Sequence, residues 1–120
     1  MRALLDEDLP HKLRLLLTDH EVFTVAYMGW GGLKNGDLLR AAENGGFDVL
    51  VTGDQSMPYE QNIEGRRLAV VALSAIELPM LEPNIARISA AIDATRAGTV
   101  PRLDVGLFSR PKRDPGPSEG

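Results

Sequence analysis

The sequence contains no cysteine among its 120 residues. Disulfide bonds and thiolate metal sites are therefore excluded, and a reducing compartment is allowed. Positive charge is also scarce, because 13 lysines and arginines stand against 17 aspartates and glutamates, for a formal net charge of -4 at pH 7. A chain with this balance does not bind nucleic acid tightly through charge alone, although a bound metal ion can still recruit an RNA.

Long apolar runs are absent as well. No stretch approaches the roughly 20 apolar residues that a membrane helix needs, and the apolar run at the N-terminus turns acidic at Asp6, too early for a secretory signal. We therefore expect a cytoplasmic protein with no membrane partner. The length suits one domain, which we place at residues 1–108. Residues 109–120 are rich in Pro, Gly and charge, and we expect a disordered tail there.

Short apolar and β-branched runs alternate with helical patterns along the chain. The runs predict strands at residues 2–6, 22–26, 48–53 and 68–73, with a weak fifth strand within 100–108. Helical spacing predicts helices over 9–18, from Asn35 to Gly45–Gly46, and from Pro83 to Gly98, with at most one short helix within 55–65. This order predicts an α/β fold of three layers, α/β/α, around a mostly parallel sheet of four or five strands.

Acidic residues follow two of the predicted strands. Asp6, Glu7 and Asp8 come after the first, Asp54 follows the third, and Asp37 lies near the start of the second helix. Ligands bind beyond the carboxyl ends of parallel strands, and clustered carboxylates suit Mg²⁺ or Mn²⁺, which prefer oxygen ligands. Each acid also has a simpler interpretation: Asp8 as a helix N-cap, Asp37 as a partner of the helix dipole and Asp54 as a turn former.

Four segments together carry a family resemblance. They are LLDEDLP at residues 4–10, HEVFTVAYMGWGGLKNGDLLRAAE at 20–43, FDVLVTGDQ at 47–55 and EQN at 60–62. Over about residues 2 to 75 the chain resembles an uncharacterised group of bacterial PIN-like domains, similar to the toxin nucleases of VapC type.

The resemblance implies a PIN-like fold and a metal-dependent endoribonuclease that uses Mg²⁺ or Mn²⁺. It also implies an RNA substrate, a toxin role with an antitoxin protein as partner, and pairing into a homodimer. Carried over by position, it implies metal ligands at Asp6 and Asp54, with Asp37 as a further ligand and Glu7 as a catalytic neighbour. The substrate-binding residues that we predict are Lys34, Asn35, Gln61 and Asn62.

Two departures from the family pattern leave a noncatalytic alternative open. Many relatives carry an aspartate where this chain has Asn35, and a second aspartate after the third strand where it has Ser56. With those carboxylates missing, the domain can instead be a catalytically degenerate module that binds a partner protein.

A response-regulator receiver domain is the third interpretation. The run DQSMP at residues 54–58 and Ser74 after the fourth strand are receiver-like. Two features argue against this phosphoacceptor function. Only 20 residues separate Asp54 from Ser74, which leaves little room for a crossover helix, and no lysine follows a fifth strand.

Overall fold

Five strands form one parallel sheet in the computed structural model, which describes residues 1–105. The strands are β1 (Arg2–Leu5), β2 (Glu21–Thr24), β3 (Val49–Thr52), β4 (Ala69–Leu73) and β5 (Arg102–Leu103). Their order across the sheet is β2-β1-β3-β4-β5, and every neighbouring pair is parallel. The predicted α/β class and parallel sheet are confirmed. The tail that we predicted at 109–120 lies outside the described residues.

Both faces of the sheet are covered, which explains why the central strands are continuously apolar. Every residue of β3 and β4 is buried. In β1 the side chains alternate, so that Ala3 and Leu5 join one apolar cluster and Leu4 joins the other. A sheet that is buried on both sides favours such uninterrupted runs over alternation.

The helices divide between these two faces. They are α1 (Leu13–Leu16), α2 (Asn35–Asn44), α3 (Met57–Glu60), α4 (Leu78–Leu81) and α5 (Ile85–Asp93), with a 3-10 helix at Glu82–Asn84. Buried residues of α2 and α3 pack in the cluster that contains Leu4, and those of α1, α4 and α5 pack in the cluster that contains Leu5. The three-layer α/β/α arrangement is thus confirmed.

The first helix is much shorter than the predicted 9–18. Its regular part covers only Leu13–Leu16, and its N-cap position is Lys12, not Asp8. Leu9, Leu13 and Leu17 are buried as the helical spacing indicated, because successive turns carry them to the same face. The Asp8 carboxylate instead accepts from the Gly53 N–H, on the neighbouring loop.

The boundaries of two later helices also differ from prediction. Asn35 is the first residue of α2, whose N-cap position is Lys34, although α2 does end at the predicted glycines, with Asn44 as its last residue and Gly45 as its C-cap. The last helix, α5, ends at Asp93, well before Gly98. Gly98 has a φ of 83° and donates its N–H to Leu68 O, so it turns the chain toward β4 rather than closing the helix.

The chain order creates a crevice at the carboxyl ends of β1 and β3. From β1 the chain passes to β2 on one side, and then returns across β1 to β3 on the other side. In open α/β sheets, ligands bind at such a switch point, just beyond the strand ends. Among the helices of residues 1–105, none has the length and apolar character needed to cross a membrane.

Candidate functional site

Thr52, the last residue of β3, connects the two strand ends at the crevice. Its side chain is fully buried, and its hydroxyl donates to Asp6 Oδ2 at 2.7 Å. The same hydroxyl oxygen accepts from the Asp54 backbone N–H at 3.0 Å. Asp6 is held by its backbone as well, because its N–H donates to Val51 O at 2.9 Å. The end of β3 therefore fixes both the Asp6 carboxylate and the start of the Asp54 loop.

Asp8 is the third carboxylate at this edge. Its Oδ2 accepts from the Gly53 N–H at 3.2 Å. Burial raises the pKa of Asp8, and the negative charges of Asp6 and Asp54 raise it further, against the lowering effect of the Gly53 hydrogen bond. Asp6 and Asp54 thus both lie close enough to Asp8 to repel its charge, and we call the three residues the acidic cluster.

Gly53 is what lets Asp8 approach the backbone of this loop. A Cβ atom at residue 53 would lie 3.0 Å from Asp8 Oδ2 and 2.2 Å from Ile76 Cγ2. Our sequence prediction did not include Asp8 among the ligands, because its position before an apolar periodic segment indicated a helix cap. The signal that pointed to the site was its place among three consecutive acids directly after a buried strand.

The Asp54 carboxylate is surrounded by hydrogen-bond donors. Its Oδ1 accepts from Ser56 Oγ at 2.6 Å, from the Ser56 N–H at 2.9 Å and from the Met57 N–H at 3.2 Å. Its Oδ2 accepts from Asn35 Nδ2 at 3.5 Å. The Ser56 hydroxyl bond lowers the pKa of Asp54, and the backbone and Asn35 bonds add to this against the opposing effect of burial. Asp54 therefore both joins the acidic cluster and closes its own Asx turn.

Glu7 points to the glycine-rich loop that follows β2. Its Oε2 accepts from the Gly32 N–H at 3.2 Å. Gly32 has a φ of 85°, a left-handed conformation that side chains other than glycine adopt at a cost. The described contact of Glu7 therefore holds this loop against the end of β1, and a catalytic role for Glu7 stays a prediction.

Asp37, which we predicted as a metal ligand, contacts an arginine of its own helix. Its carboxylate pairs with Arg40 of the same helix, and the two side chains are 54% and 63% exposed. Such an exposed pair between residues three apart is ordinary helix-surface chemistry. The structure thus places Asp37 with Arg40 on the surface of α2 and not in a described contact with the acidic cluster.

Of the four predicted substrate-binding residues, one contacts Asp54 and a second packs beside it at the start of α2. Asn35 bonds to Asp54, and Gln61 packs against the first turn of α2, with its Oε1 3.3 Å from where a Cβ of Gly36 would be. Lys34 is exposed at the N-cap position of that helix. Asn62 is exposed too, and its described contact is a backbone one, in which Arg66 Nε donates to Asn62 O at 2.9 Å.

The chemistry of the acidic cluster fits a hard divalent cation, but its side chains are not arranged as a finished ligand set. Within residues 1–105, no group of three or more His, Asp or Glu side chains has a metal-binding arrangement. Asp6, Asp8 and Asp54 each accept hydrogen bonds from the protein instead. A carboxylate oxygen can accept more than one contact, so these hydrogen bonds do not use up the acceptor capacity of the three groups.

Ser74, after β4, holds the edge of the sheet. Its Oγ accepts from the Val105 N–H at 2.9 Å and donates to Asp104 Oδ1 at 3.2 Å. The sheet order is one that receiver domains share. The crossover between Asp54 and β4, however, contains only the four-residue helix α3. Within the described part of the chain, Asp104 and Val105 follow β5, and neither is the lysine that a receiver needs.

Fold and site together define a class: a doubly wound parallel α/β protein with an acidic cluster at its topological switch point. Comparisons with protein-family models, with curated proteins and with solved structures find no match to the chain.

Proposed function

We propose that this protein is a PIN-like ribonuclease that uses Mg²⁺ or Mn²⁺ to hydrolyse a phosphodiester bond. The observation that supports the proposal is the convergence of Asp6, Asp8 and Asp54 at the β1–β3 switch point, where their mutual repulsion contributes to the raised pKa of Asp8. A divalent cation relieves that repulsion, and hard cations favour carboxylate oxygens. The choice of RNA as substrate rests on the family resemblance.

Each side chain then has a distinct task. Asp6 and Asp8 would hold the cation from the β1 side and Asp54 from the β3 side, while the Thr52 hydroxyl orients Asp6. A cation held there supplies a Lewis acid for the phosphate and an activated water. Lys34, exposed at the start of α2, offers a positive charge to a phosphate, and Asn35 and Gln61 offer amide groups beside it.

The second candidate function is a noncatalytic module that binds a partner protein. The observation that favours it is the environment of Asp54, whose carboxylate already accepts four hydrogen bonds from Ser56, Met57 and Asn35. Ser56 and Asn35 are the two residues that depart from the family pattern, and both bind Asp54. This candidate predicts a stable fold that has no useful affinity for Mg²⁺ or Mn²⁺.

Calorimetric titration of the purified protein with Mg²⁺ and with Mn²⁺ distinguishes these two functions. We expect binding that Asp6→Asn, Asp8→Asn and Asp54→Asn each weaken by about tenfold or more, because each removes a negative ligand. Asp93→Asn is the matched control, since Asp93 is an exposed aspartate at the end of α5. No binding at millimolar metal, or equal binding by all four variants, would exclude the proposed site and favour the noncatalytic module.

RNA cleavage and the toxin role need separate measurements. A protein that binds metal should cleave RNA in the presence of Mn²⁺, and Asp6→Asn and Asp54→Asn should abolish cleavage while the circular dichroism spectrum stays native. Expression in a bacterial host should arrest growth for the wild type and not for these variants if the protein is a toxin. Cleavage that persists in purified Asp54→Asn would contradict the assignment of Asp54.

A further inference from the structure

Within residues 1–105, the outer edge of β2 has backbone hydrogen-bonding groups that pair with no other strand. β2 is the terminal strand of the sheet, and β1 is its partner on the inner side. Glu21 and Val25 donate their N–H groups to Met1 O and Leu5 O, each at 3.0 Å. Because alternate residues of a parallel strand bond to the same neighbour, the peptide groups of Val22 and the N–H of Thr24 face the open side. An added strand would find those groups ready to pair.

A groove of about 760 Å³ lies along this edge, between β2 and α1. Val22 and Thr24 form part of its wall. At its borders are two large apolar side chains that the described fold leaves in solvent: Leu15 of α1 is 59% exposed and Tyr27 is 76% exposed. Tyr27 packs against the Phe23 ring at a centroid distance of 5.8 Å, which extends the apolar surface around the edge of the sheet.

The same groove is positively charged, although the chain as a whole is acidic. Lys12 and Arg14 of the α1 region line it, together with His11. Among the described residues, none of these three side chains takes part in an ion pair. Lys12 and Arg14 are exposed, so their charges are available to a ligand.

We propose that this edge is a docking site for an extended, acidic segment of another protein, which adds a sixth strand beside β2. In a strand, successive side chains point to opposite faces. A segment in which acidic and apolar residues alternate would place its acids toward Lys12 and Arg14 and its apolar residues toward Tyr27 and Phe23. The open peptide groups of Val22 and the N–H of Thr24 supply the affinity, and the charges select the partner.

A second copy of the chain fits this edge less well. Edge-to-edge antiparallel pairing of two β2 strands places the symmetry axis perpendicular to the sheet, so both α1 helices lie on the same face beside that axis. The Lys12 and Arg14 side chains of the two copies would then approach one another, and like charges repel. An acidic partner instead neutralises them.

Fluorescence polarisation with a labelled ten-residue peptide of alternating Glu and Leu tests the proposal. We expect saturable binding, weakened by about tenfold or more in Arg14→Glu, which reverses a charge that lines the groove. Arg102→Glu is the matched control, because Arg102 lies on β5 at the opposite edge of the sheet. A peptide of alternating Lys and Leu should bind far more weakly than the acidic one.

Val22→Pro tests the strand pairing itself, since proline removes an N–H that faces outward and leaves the bonds to β1 in place. Peptide binding should be lost while the circular dichroism spectrum stays native. If this variant does not fold, NMR of the wild type provides the test: addition of the acidic peptide should shift the amide signals of residues 12–15 and 22–27. Equal affinities for Arg14→Glu and Arg102→Glu would overturn the proposal. A wild-type dimer that Val22→Pro dissociates would overturn it too, because the occupant would then be a second copy.

The acidic cluster is untouched by these substitutions, so the docking proposal and the nuclease proposal succeed or fail separately.

Discussion

The Thr52 hydroxyl donates to Asp6 Oδ2 at 2.7 Å, so the last residue of β3 holds the first acid after β1. The same oxygen accepts the Asp54 N–H, and one buried side chain thereby positions two members of the acidic cluster. Thr52 lies on a strand with no exposed residue, where an unpaired polar group is costly. Its hydroxyl is paired there on both sides, with two partners that belong to the site.

Thr52→Val should destabilise the fold by about 1–3 kcal/mol, because it leaves a carboxylate oxygen and a backbone N–H without their partner. The volume hardly changes, so packing contributes little to the difference. Urea unfolding monitored by circular dichroism measures the effect. Thr18→Val, at an exposed position, is the control and should change the free energy of unfolding by less than about 0.5 kcal/mol. Equal effects of the two substitutions would mean that the Thr52 hydroxyl is not a structural link.

Asp8→Asn and Asp54→Asn should shift stability in opposite directions at pH 7 in the absence of divalent metal. The raised pKa of Asp8 means that its ionised form opposes folding, so this destabilisation grows as pH rises from 3.8 through the folded-state pKa and is complete above it. Asp8→Asn should therefore raise the urea midpoint at pH 7. Two destabilising substitutions would show that Asp8 does not experience the repulsion inferred from its neighbours.

The lowered pKa of Asp54 has the opposite consequence. Its ionised form supports folding above pH 3.8, and the support is lost as pH falls through the lower folded-state pKa. Asp54→Asn should lower the urea midpoint at pH 7, and its difference from the wild type should shrink below pH 3.8. Unfolding curves at several pH values, recorded with a chelator present, provide the measurement.

Glu43→Gln should destabilise the connection between α2 and β4. Glu43 accepts from Arg66 Nη1 at 2.7 Å and from the Arg67 N–H at 2.9 Å. Burial acts to raise the pKa of Glu43, but these bonds and the arginine charges lower it overall. The pair is mostly buried, so we expect a loss of about 1–3 kcal/mol at pH 7.

The Glu43 effect should depend on pH in a defined way. A carboxylate with a lowered pKa supports folding at pH values above its ordinary pKa, which is 4.5 for Glu43. That support is lost as pH falls through the folded-state pKa. Glu64→Gln, at an exposed position, is the matched control. A Glu43→Gln effect that is the same size at pH 7 and at pH 3 would contradict a role for the ionised group.

Glu7→Ala and Asp37→Asn separate the loop and surface acids from the acidic cluster. Glu7→Ala removes the acceptor of the Gly32 N–H, so it should speed amide hydrogen exchange in the loop of residues 26–34, while affinity for Mn²⁺ changes by less than about threefold.

Asp37→Asn should leave the affinity for Mn²⁺ unchanged and alter stability by less than about 1 kcal/mol, because the pair of Asp37 with Arg40 is exposed. A loss of metal binding in Asp37→Asn would restore its predicted role as a ligand.

Boundaries were the weakest part of the sequence prediction, and α1 shows why. Leucines at helical spacing identified the buried face correctly, but they did not show that the regular helix covers only Leu13–Leu16. The burial of Leu9 and Leu17 is achieved by turns, which have the same spacing over so short a stretch. Periodicity reports which side chains are buried and not which hydrogen bonds the backbone makes.

Other parts of the fold were determined by the sequence itself. Continuous apolar runs at β3 and β4 required a sheet covered on both faces, and their alternation with helical segments required parallel strands. The positions of Asp6 and Asp54 directly after such runs placed both acids at one edge, because parallel strands end together.

Tertiary structure alone decided how the acids are used. Asp6, Glu7 and Asp8 are consecutive, yet they bind three separate groups: Thr52 at the end of β3, Gly32 in the glycine-rich loop and Gly53 just after β3, respectively. Asp37, predicted as a further ligand at the start of the second helix, pairs with Arg40. Side-chain direction depends on the local backbone and on which distant groups the packed strands bring within reach, and neither is encoded in the spacing of the acids.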